Sequence, residues 1–146
     1  MCGILSRIKK IFLPKTSAPV NSGAAKRVLA IDDDRIQRTM IQTTLQKRGY
    51  SVFTAETGES GLNMAFELKP DLVILDVVLP VMSGHEVCRR LKADQRTKDI
   101  PVIFLTSQDS PGDVIEHYEL GADIHLTKPI NSKELVTQVQ ISLGEK

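Results

Sequence analysis

Short apolar runs recur along the chain from residue 26 onward, and each is bounded by polar or turn-forming residues. The runs cover residues 28–31, 52–55, 72–75, 102–105 and 124–126. Runs of this length between turn signals are typical of strands that are buried on both faces of a sheet. Five buried strands are therefore predicted.

Helical patterns lie between these runs. The first predicted helix has an apolar face made by Ile36, Met40, Thr44 and Leu45. The second is marked by Leu62, Ala65, Phe66 and Leu68, and the third by Val87, Leu91 and Ala93. Gly49 and Pro70 are helix stop signals. Ser110 before Pro111, and Asn131 three residues before Glu134, are helix start signals. Five strands alternating with five helices predict an α/β fold, a doubly wound parallel sheet covered on both faces.

The first 25 residues differ from the remainder. Apolar residues at positions 4, 5, 8, 11 and 12 share one face of a predicted short amphipathic helix, and Arg7, Lys9 and Lys10 lie on or beside the other. Residues 14–25 are rich in Pro, Ser, Thr, Gly and Ala, which is typical of a linker. The predicted organisation is therefore an N-terminal amphipathic segment and linker at 1–25 and one domain at 26–146.

Composition excludes several classes of protein. The chain has 146 residues with 41% hydrophobic and 25% charged residues, which fits one soluble domain. A net charge of +1 and the lack of Trp give no support for nucleic-acid binding. The two cysteines, Cys2 and Cys88, have no metal or redox spacing and indicate a reducing compartment. No apolar run is long enough to span a membrane, so a cytoplasmic protein is expected.

Polar residues that could bind a ligand or take part in a reaction follow four of the predicted strands. Asp32-Asp33-Asp34, Asp76, Thr106 and Lys128 stand at these ends. Each has an ordinary structural alternative as a helix cap, a turn residue or a surface side chain. In a doubly wound sheet, however, the carboxyl ends of the strands form the binding edge. Carboxylates that converge there favour a hard divalent cation such as Mg²⁺, and a lysine with a hydroxyl nearby suits a phosphoryl group.

Four motifs carry a resemblance to a known family. They are VLAIDDD (28–34), PDLVILDVVLPVMSG (70–84), PVIFLTS (101–107) and GADIHLTKPI (121–130). In order and spacing they resemble the response-regulator receiver domain, over about residues 26–144, and in particular stand-alone receivers of the chemotaxis-regulator type. The resemblance implies a flavodoxin-like fold and Mg²⁺-dependent phosphoryl transfer from a histidine kinase or phosphotransfer protein. The chain would then be a signalling switch whose only chemistry is its own phosphorylation and dephosphorylation.

The resemblance also implies a role for each matching residue. The implied phosphoacceptor is Asp76, the metal ligands are Asp32, Asp33, Asp76 and the main-chain carbonyl of Val78, and the phosphoryl-contacting residues are Thr106 and Lys128. Asp34 is assigned to helix capping. His125 occupies the place of the family's switch aromatic, which Thr106 would pair with, and a plain half-buried strand histidine is an equal alternative. Val78 and Gln108 match positions that influence the attacking water, so slow self-dephosphorylation is expected.

Partners are expected at two surfaces. With no residues left for an output domain after Lys146 and no helix-turn-helix or basic stripe, we expect no nucleic-acid partner. A downstream protein would bind the face of the fourth helix, fifth strand and fifth helix, at about 111–120, 124–127 and 131–143. Residues 4–13 are expected to contact either an anionic membrane surface, at the inner face of the membrane, or an acidic partner.

Two alternatives compete with the phosphoryl switch. A phosphatase of the haloacid-dehalogenase type would use Asp32 as nucleophile and Asp34 as acid/base, with Thr106 and Lys128 in its later motifs. That class needs a further acidic motif after the lysine, and only Glu134 and Glu145 follow. An interaction module that works without phosphorylation is the second alternative, on the principle that one fold hosts many functions.

Overall fold

The structure is a computed structural model and describes residues 24–107 and 124–145. The strands are β1 (Arg27–Ile31), β2 (Ser51–Ala55), β3 (Leu72–Asp76), β4 (Val102–Thr106) and β5 (Ile124–Thr127). The helices are α1 (Arg35–Gln46), α2 (Gly58–Leu68), α3 (Gly84–Ala93) and α4 (Ser132–Ser142). All five predicted strands are confirmed, each within one residue of its expected ends. The predicted N-terminal segment and the helix expected at 111–120 lie outside the described residues.

The five strands form one parallel sheet in the order β2-β1-β3-β4-β5. The chain moves outward from β1 to β2, then crosses back to β3 and continues to the other edge. The predicted doubly wound parallel sheet is therefore confirmed. Its switch point, where the order of the strands reverses, lies between β1 and β3.

Alternate residues of each strand pack into two separate hydrophobic cores, one on each face of the sheet. One core lies under α2 and α3 and includes Leu29, Leu75 and Phe104. The other lies under α1 and α4 and includes Ala30 and Ile74. Because successive side chains of a strand point to opposite faces, strands that are apolar throughout require helices on both faces. This explains why the strand runs are continuous rather than alternating.

The predicted buried face of α1 is wrong by part of a turn. The structure buries Ile41 and Leu45, whereas the side chain of Ile36 is 80% exposed and Met40 and Thr44 are only partly buried. Ile36 precedes Ile41 by five residues, which places it about 140° away around a helix of 3.6 residues per turn. Ile36 therefore cannot share the sheet-facing side, and it remains as an apolar side chain in solvent.

Side-chain caps begin the helices where the sequence predicts them. The Asp34 carboxylate accepts hydrogen bonds from the amides of Ile36 and Gln37, which confirms its assignment to capping. The Asn131 side chain caps α4 through the amides of Lys133 and Glu134. Across the ranges 24–107 and 124–145, no helix combines the length and apolarity needed to cross a membrane.

Candidate functional site

Four chemically active side chains stand at the carboxyl edge of the sheet, on both sides of the switch point. Asp32 follows β1 directly, and Asp76 is the last residue of the neighbouring strand β3. Thr106 ends β4, and Lys128 follows β5. The parallel arrangement thus brings together residues that are up to 96 positions apart in the sequence. This is the edge where doubly wound sheets bind their ligands.

Three carboxylates form a compact cluster at this edge. Asp32, Asp33 and Asp76 each offer an oxygen, and these oxygens all lie within 4.8 Å of one another. Asp32 and Asp76 are buried, whereas Asp33 is exposed. Like charges this close repel one another unless a proton or a cation lies between them.

Lys128 supplies the positive charge within the cluster. Its Nζ donates a hydrogen bond to Oδ2 of Asp76 at 2.9 Å and lies 3.6 Å from Oδ2 of Asp32. Burial alone would lower the pKa of Lys128, but the hydrogen bond and the negative charges of both aspartates outweigh burial and raise it. The lysine is therefore held charged beside the acceptor carboxylate. Its peptide bond to Pro129 is cis, and its amide donates to the main-chain oxygen of Thr106 at 2.7 Å.

The Asp32 carboxylate has the least favourable surroundings for a negative charge, because it is buried and one of its oxygens lacks a hydrogen-bond donor among the described residues. Its Oδ1 accepts a hydrogen bond from the Asp34 amide at 2.9 Å. Its Oδ2 is buried and accepts no hydrogen bond from the part of the chain that the structure describes. Burial raises the pKa of Asp32 from 3.8 to about 6; the Asp34 amide and Lys128 oppose this shift, and the charge of Asp76 adds to it. A buried acceptor without a donor, next to two further carboxylates, fits a hard cation with oxygen ligands.

The loop after β3 folds tightly against the Asp76 carboxylate. Oδ1 of Asp76 accepts a hydrogen bond from the Val78 amide at 3.1 Å, and the Gly84 amide donates to the main-chain oxygen of Val77 at 2.9 Å. A side chain at position 84 would collide with the main-chain oxygen of Asp76, so only glycine fits there. Val81 adopts a left-handed conformation with φ of 68°, which is unfavourable for a β-branched residue.

The predicted roles of Val78, His125 and Gln108 are not tested by the contacts in the structure. The Val78 side chain is 73% exposed, and the role of its carbonyl as a metal ligand stays a prediction. His125 is half-buried and lies on the same face of the sheet as Thr106, because Phe104 pairs with His125 and Thr106 pairs with Thr127. Burial lowers the pKa of His125. Its role as a switch partner stays a prediction, and Gln108 lies outside the described residues.

Sequence reasoning missed two features of the site. Arg38 donates to the main-chain oxygen of Asp32 at 2.8 Å. Its position one turn after the capping Asp34 was the available signal, because a long side chain there reaches back to the preceding strand. The second feature is a set of apolar side chains in solvent. Of the four well-exposed large apolar residues in the described ranges, Ile36, Val78 and Val81 stand at this edge of the fold.

Comparison with known proteins identifies relatives of this fold and site. Residues 28–140 match the family described as the response regulator receiver domain. The DNA-binding dual master transcriptional regulator RpaA of Synechocystis is 41% identical over 117 residues, which are 80% of this chain but 48% of the relative. The chain thus spans about half the length of that curated relative.

Two solved structures extend the comparison. The chemotaxis protein CheY4 of Vibrio cholerae is 37% identical with a TM-score of 0.79, covering 82% of this chain and 100% of its own. The receiver domain of the sensor histidine kinase PA1611 of Pseudomonas aeruginosa, which has a magnesium ion coordinated in its active site cleft, is 27% identical. Its TM-score is 0.76, and the match covers 84% of this chain and 100% of that one.

Proposed function

Because the chain belongs to the response regulator receiver domain family of two-component signalling, we propose that Asp76 accepts a phosphoryl group and thereby switches a protein-binding surface. One observation carries the assignment to Asp76. Its carboxylate ends the central strand β3, and Lys128 Nζ donates to it at 2.9 Å within a cluster of three acids. A cluster that combines carboxylates able to bind a cation with a charged lysine is suited to phosphoryl transfer. In that reaction, positioning and charge neutralisation supply most of the rate enhancement.

The proposed reaction is an in-line transfer between two nucleophiles. A carboxylate oxygen of Asp76 forms a bond to phosphorus while the phosphorus–nitrogen bond of a phosphohistidine donor breaks. The imidazole leaves with that electron pair, and the product is an acyl phosphate on Asp76. The charged amine of Lys128 already lies beside the acceptor, where it neutralises a phosphoryl oxygen without rearrangement.

Asp32, Asp33 and Asp76 are the residues that would hold Mg²⁺, with the Val78 carbonyl as a further ligand implied by the family. The ion supplies charge neutralisation for the phosphoryl oxygens when it is bound. The buried Oδ2 of Asp32 supports this assignment, because it has no donor among the described residues. The magnesium described in the cleft of the Pseudomonas receiver domain supports it by similarity.

The phosphorylated state would differ from the free state in charge and in hydrogen bonding. An acyl phosphate adds about one to two negative charges at Asp76. The Thr106 hydroxyl, at the end of the adjacent strand, would move to the added oxygens, and His125 lies on its face of the sheet. The resulting shift between two arrangements would alter the surface made by β5, α4 and residues 111–120, where a target protein would bind.

Apolar side chains at the site favour a protein as the phosphodonor. Ile36 is 80% exposed, Val78 is 73% exposed and Val81 is fully exposed at the same edge as the acid cluster. Apolar groups that are exposed together, next to polar residues, are typical of protein-binding surfaces. A small phosphodonor has no use for them, whereas a histidine kinase or phosphotransfer protein would cover them while presenting its phosphohistidine.

The phosphatase alternative receives less support from the geometry. It requires Asp34 as an acid/base, but the Asp34 carboxylate accepts the amides of Ile36 and Gln37 at the start of α1. It also leaves no role for Asp76, which is buried and hydrogen-bonded to Lys128.

The decisive experiment is the intact mass of the protein after incubation with Mg²⁺ and a small phosphodonor such as acetyl phosphate. We expect one added phosphoryl group that hydroxylamine removes, and no addition to Asp76→Asn. The matched control is Asp71→Asn, the same substitution just before the other end of β3, which should still be phosphorylated. Phosphate on Asp76→Asn but not on Asp32→Asn would support the phosphatase. No phosphate on any of these proteins would support the interaction module.

The segment at residues 4–13 is proposed as a tether, with residues 14–25 as its linker. Its apolar stripe and flanking basic residues suit an anionic lipid surface. Deletion of residues 1–13 should leave phosphorylation by acetyl phosphate unchanged and abolish sedimentation with vesicles rich in anionic lipid. A full-length protein that does not sediment with those vesicles would refute the tether.

A further inference from the structure

A largely buried arginine lies beside the acid cluster and has no part in the function proposed above. The Arg38 side chain is only 14% exposed and lies one turn into α1. Its Nη1 donates to the main-chain oxygen of Asp32 at 2.8 Å, and its Nη2 lies 3.9 Å from Oε2 of Glu56. Asp32 follows β1 and Glu56 follows β2. The guanidinium therefore connects α1 to the ends of two strands.

The acceptor of this hydrogen bond, the Asp32 carbonyl, lies where the pairing between β1 and β2 ends. The Asp32 amide still donates to the main-chain oxygen of Ala55 at 3.1 Å, so β1 and β2 remain paired up to that residue. After it the chain turns into α1, and the Asp32 carbonyl loses its neighbouring strand. A half-buried carbonyl needs a donor, and Arg38 provides one from the following helix.

We propose that Arg38 is a positioning residue for the cation site, acting through the peptide that joins Asp32 to Asp33. This inference rests on the proposed function. The hydrogen bond fixes the plane of that peptide, and the plane sets the directions in which both carboxylates leave the main chain. One of them, Asp32, must present its buried Oδ2 to the ion, and small errors in ligand direction weaken a metal site.

Arg38 affects the orientation of the peptide between Asp32 and Asp33 more than the ionisation of the Asp32 carboxyl. The groups that shift the pKa of the Asp32 carboxyl are its burial, the Asp34 amide, Asp76 and Lys128. Arg38 bonds to the main-chain oxygen instead, and its contact with Glu56 is long and faces solvent. Its removal should therefore loosen the turn between β1 and α1 even when no ion is present.

The chain offers a closely matched control in Arg27. The Arg27 Nη2 also donates to a main-chain oxygen, that of Lys69, at 3.1 Å. This contact lies at the opposite end of the sheet, where β1 begins. Arg38→Met and Arg27→Met remove the same charge and the same kind of hydrogen bond while keeping most of the apolar stem. The main difference between the two variants is the place from which the donor is lost; the Arg38 hydrogen bond is also the more buried of the two.

The first measurement uses metal-free protein and amide hydrogen exchange. The Asp34 amide donates to Oδ1 of Asp32, so its exchange reports the order of the turn. We expect exchange at Asp34 to be at least about fivefold faster in Arg38→Met, as for the loss of one ordering hydrogen bond, and unchanged in Arg27→Met. Equal exchange in Arg38→Met and the unaltered protein would overturn the inference.

The second measurement is calorimetric titration with Mg²⁺ at pH 7.5. Loss of a residue that orients metal ligands costs about tenfold in affinity or more, so we expect that change in Arg38→Met and none in Arg27→Met. Phosphoryl uptake by Arg38→Met should be slow at low Mg²⁺ and recover at saturating Mg²⁺. An unchanged Mg²⁺ affinity would also overturn the inference.

Two outcomes separate this inference from the function on which it rests. If the unaltered protein binds no Mg²⁺ and accepts no phosphoryl group, the proposed function fails, while exchange at Asp34 still decides whether Arg38 orders the turn. If Arg38→Met does not fold, Arg38→Gln replaces it, because the shorter amide side chain stays polar but removes the guanidinium that donates to the Asp32 carbonyl. The same two measurements then apply, with the same directions expected.

Discussion

The charge of Asp32 should make the metal-free protein less stable as the pH rises. Asp32 is fully buried, and burial raises its pKa from 3.8 to about 6 in the folded protein. Between about pH 4 and pH 6 the folded state therefore holds more protons than the unfolded state. Stability falls with rising pH wherever the folded state binds more protons. The loss is complete at about pH 7, one unit above the folded-state pKa, where Asp32 is ionised in both states.

The size of this effect follows from the shift. A change of about two pKa units, at about 1.4 kcal/mol for each unit, corresponds to roughly 3 kcal/mol of folding free energy. Asp32→Asn removes the buried charge and keeps an oxygen to accept the Asp34 amide. Lys128 loses one of its two negative neighbours, which offsets part of the gain. The metal-free variant should thus be about 1–3 kcal/mol more stable than the unaltered protein at pH 7.5.

The assay is urea unfolding in the presence of a chelator, followed by circular dichroism from pH 4.5 to pH 7.5. The difference between Asp32→Asn and the unaltered protein should grow across this range, and other titrating groups cancel in that difference. Asp33→Asn is the matched control, because Asp33 is the exposed member of the same cluster and its charge costs little. With saturating Mg²⁺ the order should reverse, since the ion stabilises only the protein that binds it well.

This reasoning would be refuted by a difference that stays constant across the pH range. The same holds if Asp32→Asn and Asp33→Asn have equal effects, because burial would then not be the cause.

Three further substitutions test neighbouring parts of the site. Lys128→Ala should move the pH-dependent loss of stability in metal-free protein to higher pH, because the charge that opposes the raised pKa of Asp32 is gone; an unmoved titration would contradict this. Gly84→Ala should lower the free energy of unfolding by about 1–3 kcal/mol in urea, because the added methyl group meets the main-chain oxygen of Asp76. An unchanged midpoint would mean that the loop relaxes freely. Val78→Asn should shorten the lifetime of the acyl phosphate, measured by intact mass over time, because an amide can hold the attacking water that valine cannot; equal decay rates would refute that role.

The sheet and its binding edge were predictable from the sequence because both depend on local signals. Five apolar runs gave the strands, and their alternation with helical patterns implied the doubly wound order. The sequence placed the acids at the carboxyl edge of the sheet, and the structure then showed that the strands that end in them, β1 and β3, are neighbours. The capping role of Asp34 was predictable for the same reason, as it depends only on residues within the next turn.

The sequence did not reveal the rotation of α1 about its own axis or the direction in which the Arg38 side chain points. The first apolar residue of α1, Ile36, fits the helical spacing of Met40 and Thr44, but the sheet is contacted by Ile41 and Leu45. Spacing alone does not say which of two adjacent stripes faces the core. Arg38 was missed because its partner is a main-chain oxygen, which leaves no trace in the pattern of side chains. The left-handed Val81 is contrary to the preference of its residue type.

The cluster of acids is costly in the absence of a ligand, and this cost supports the proposed role of the site as a switch. Asp32 is buried with one oxygen that accepts no hydrogen bond from a described group, and the Asp34 amide and Lys128 are the described groups that oppose its raised pKa. A cation or a proton relieves that repulsion, so either one stabilises the fold. A phosphoryl group on Asp76 would instead add negative charge and draw on the same Lys128 that Asp32 now shares. In the proposed phosphorylated state, Asp32 and the phosphoryl group would therefore compete for the positive charge of Lys128. The strand ends that carry Thr106 and Lys128 would then be the parts of the structure that respond. Because Lys128 continues directly from β5 and its amide donates to the Thr106 carbonyl at 2.7 Å, a movement of either residue would reach the edge strand.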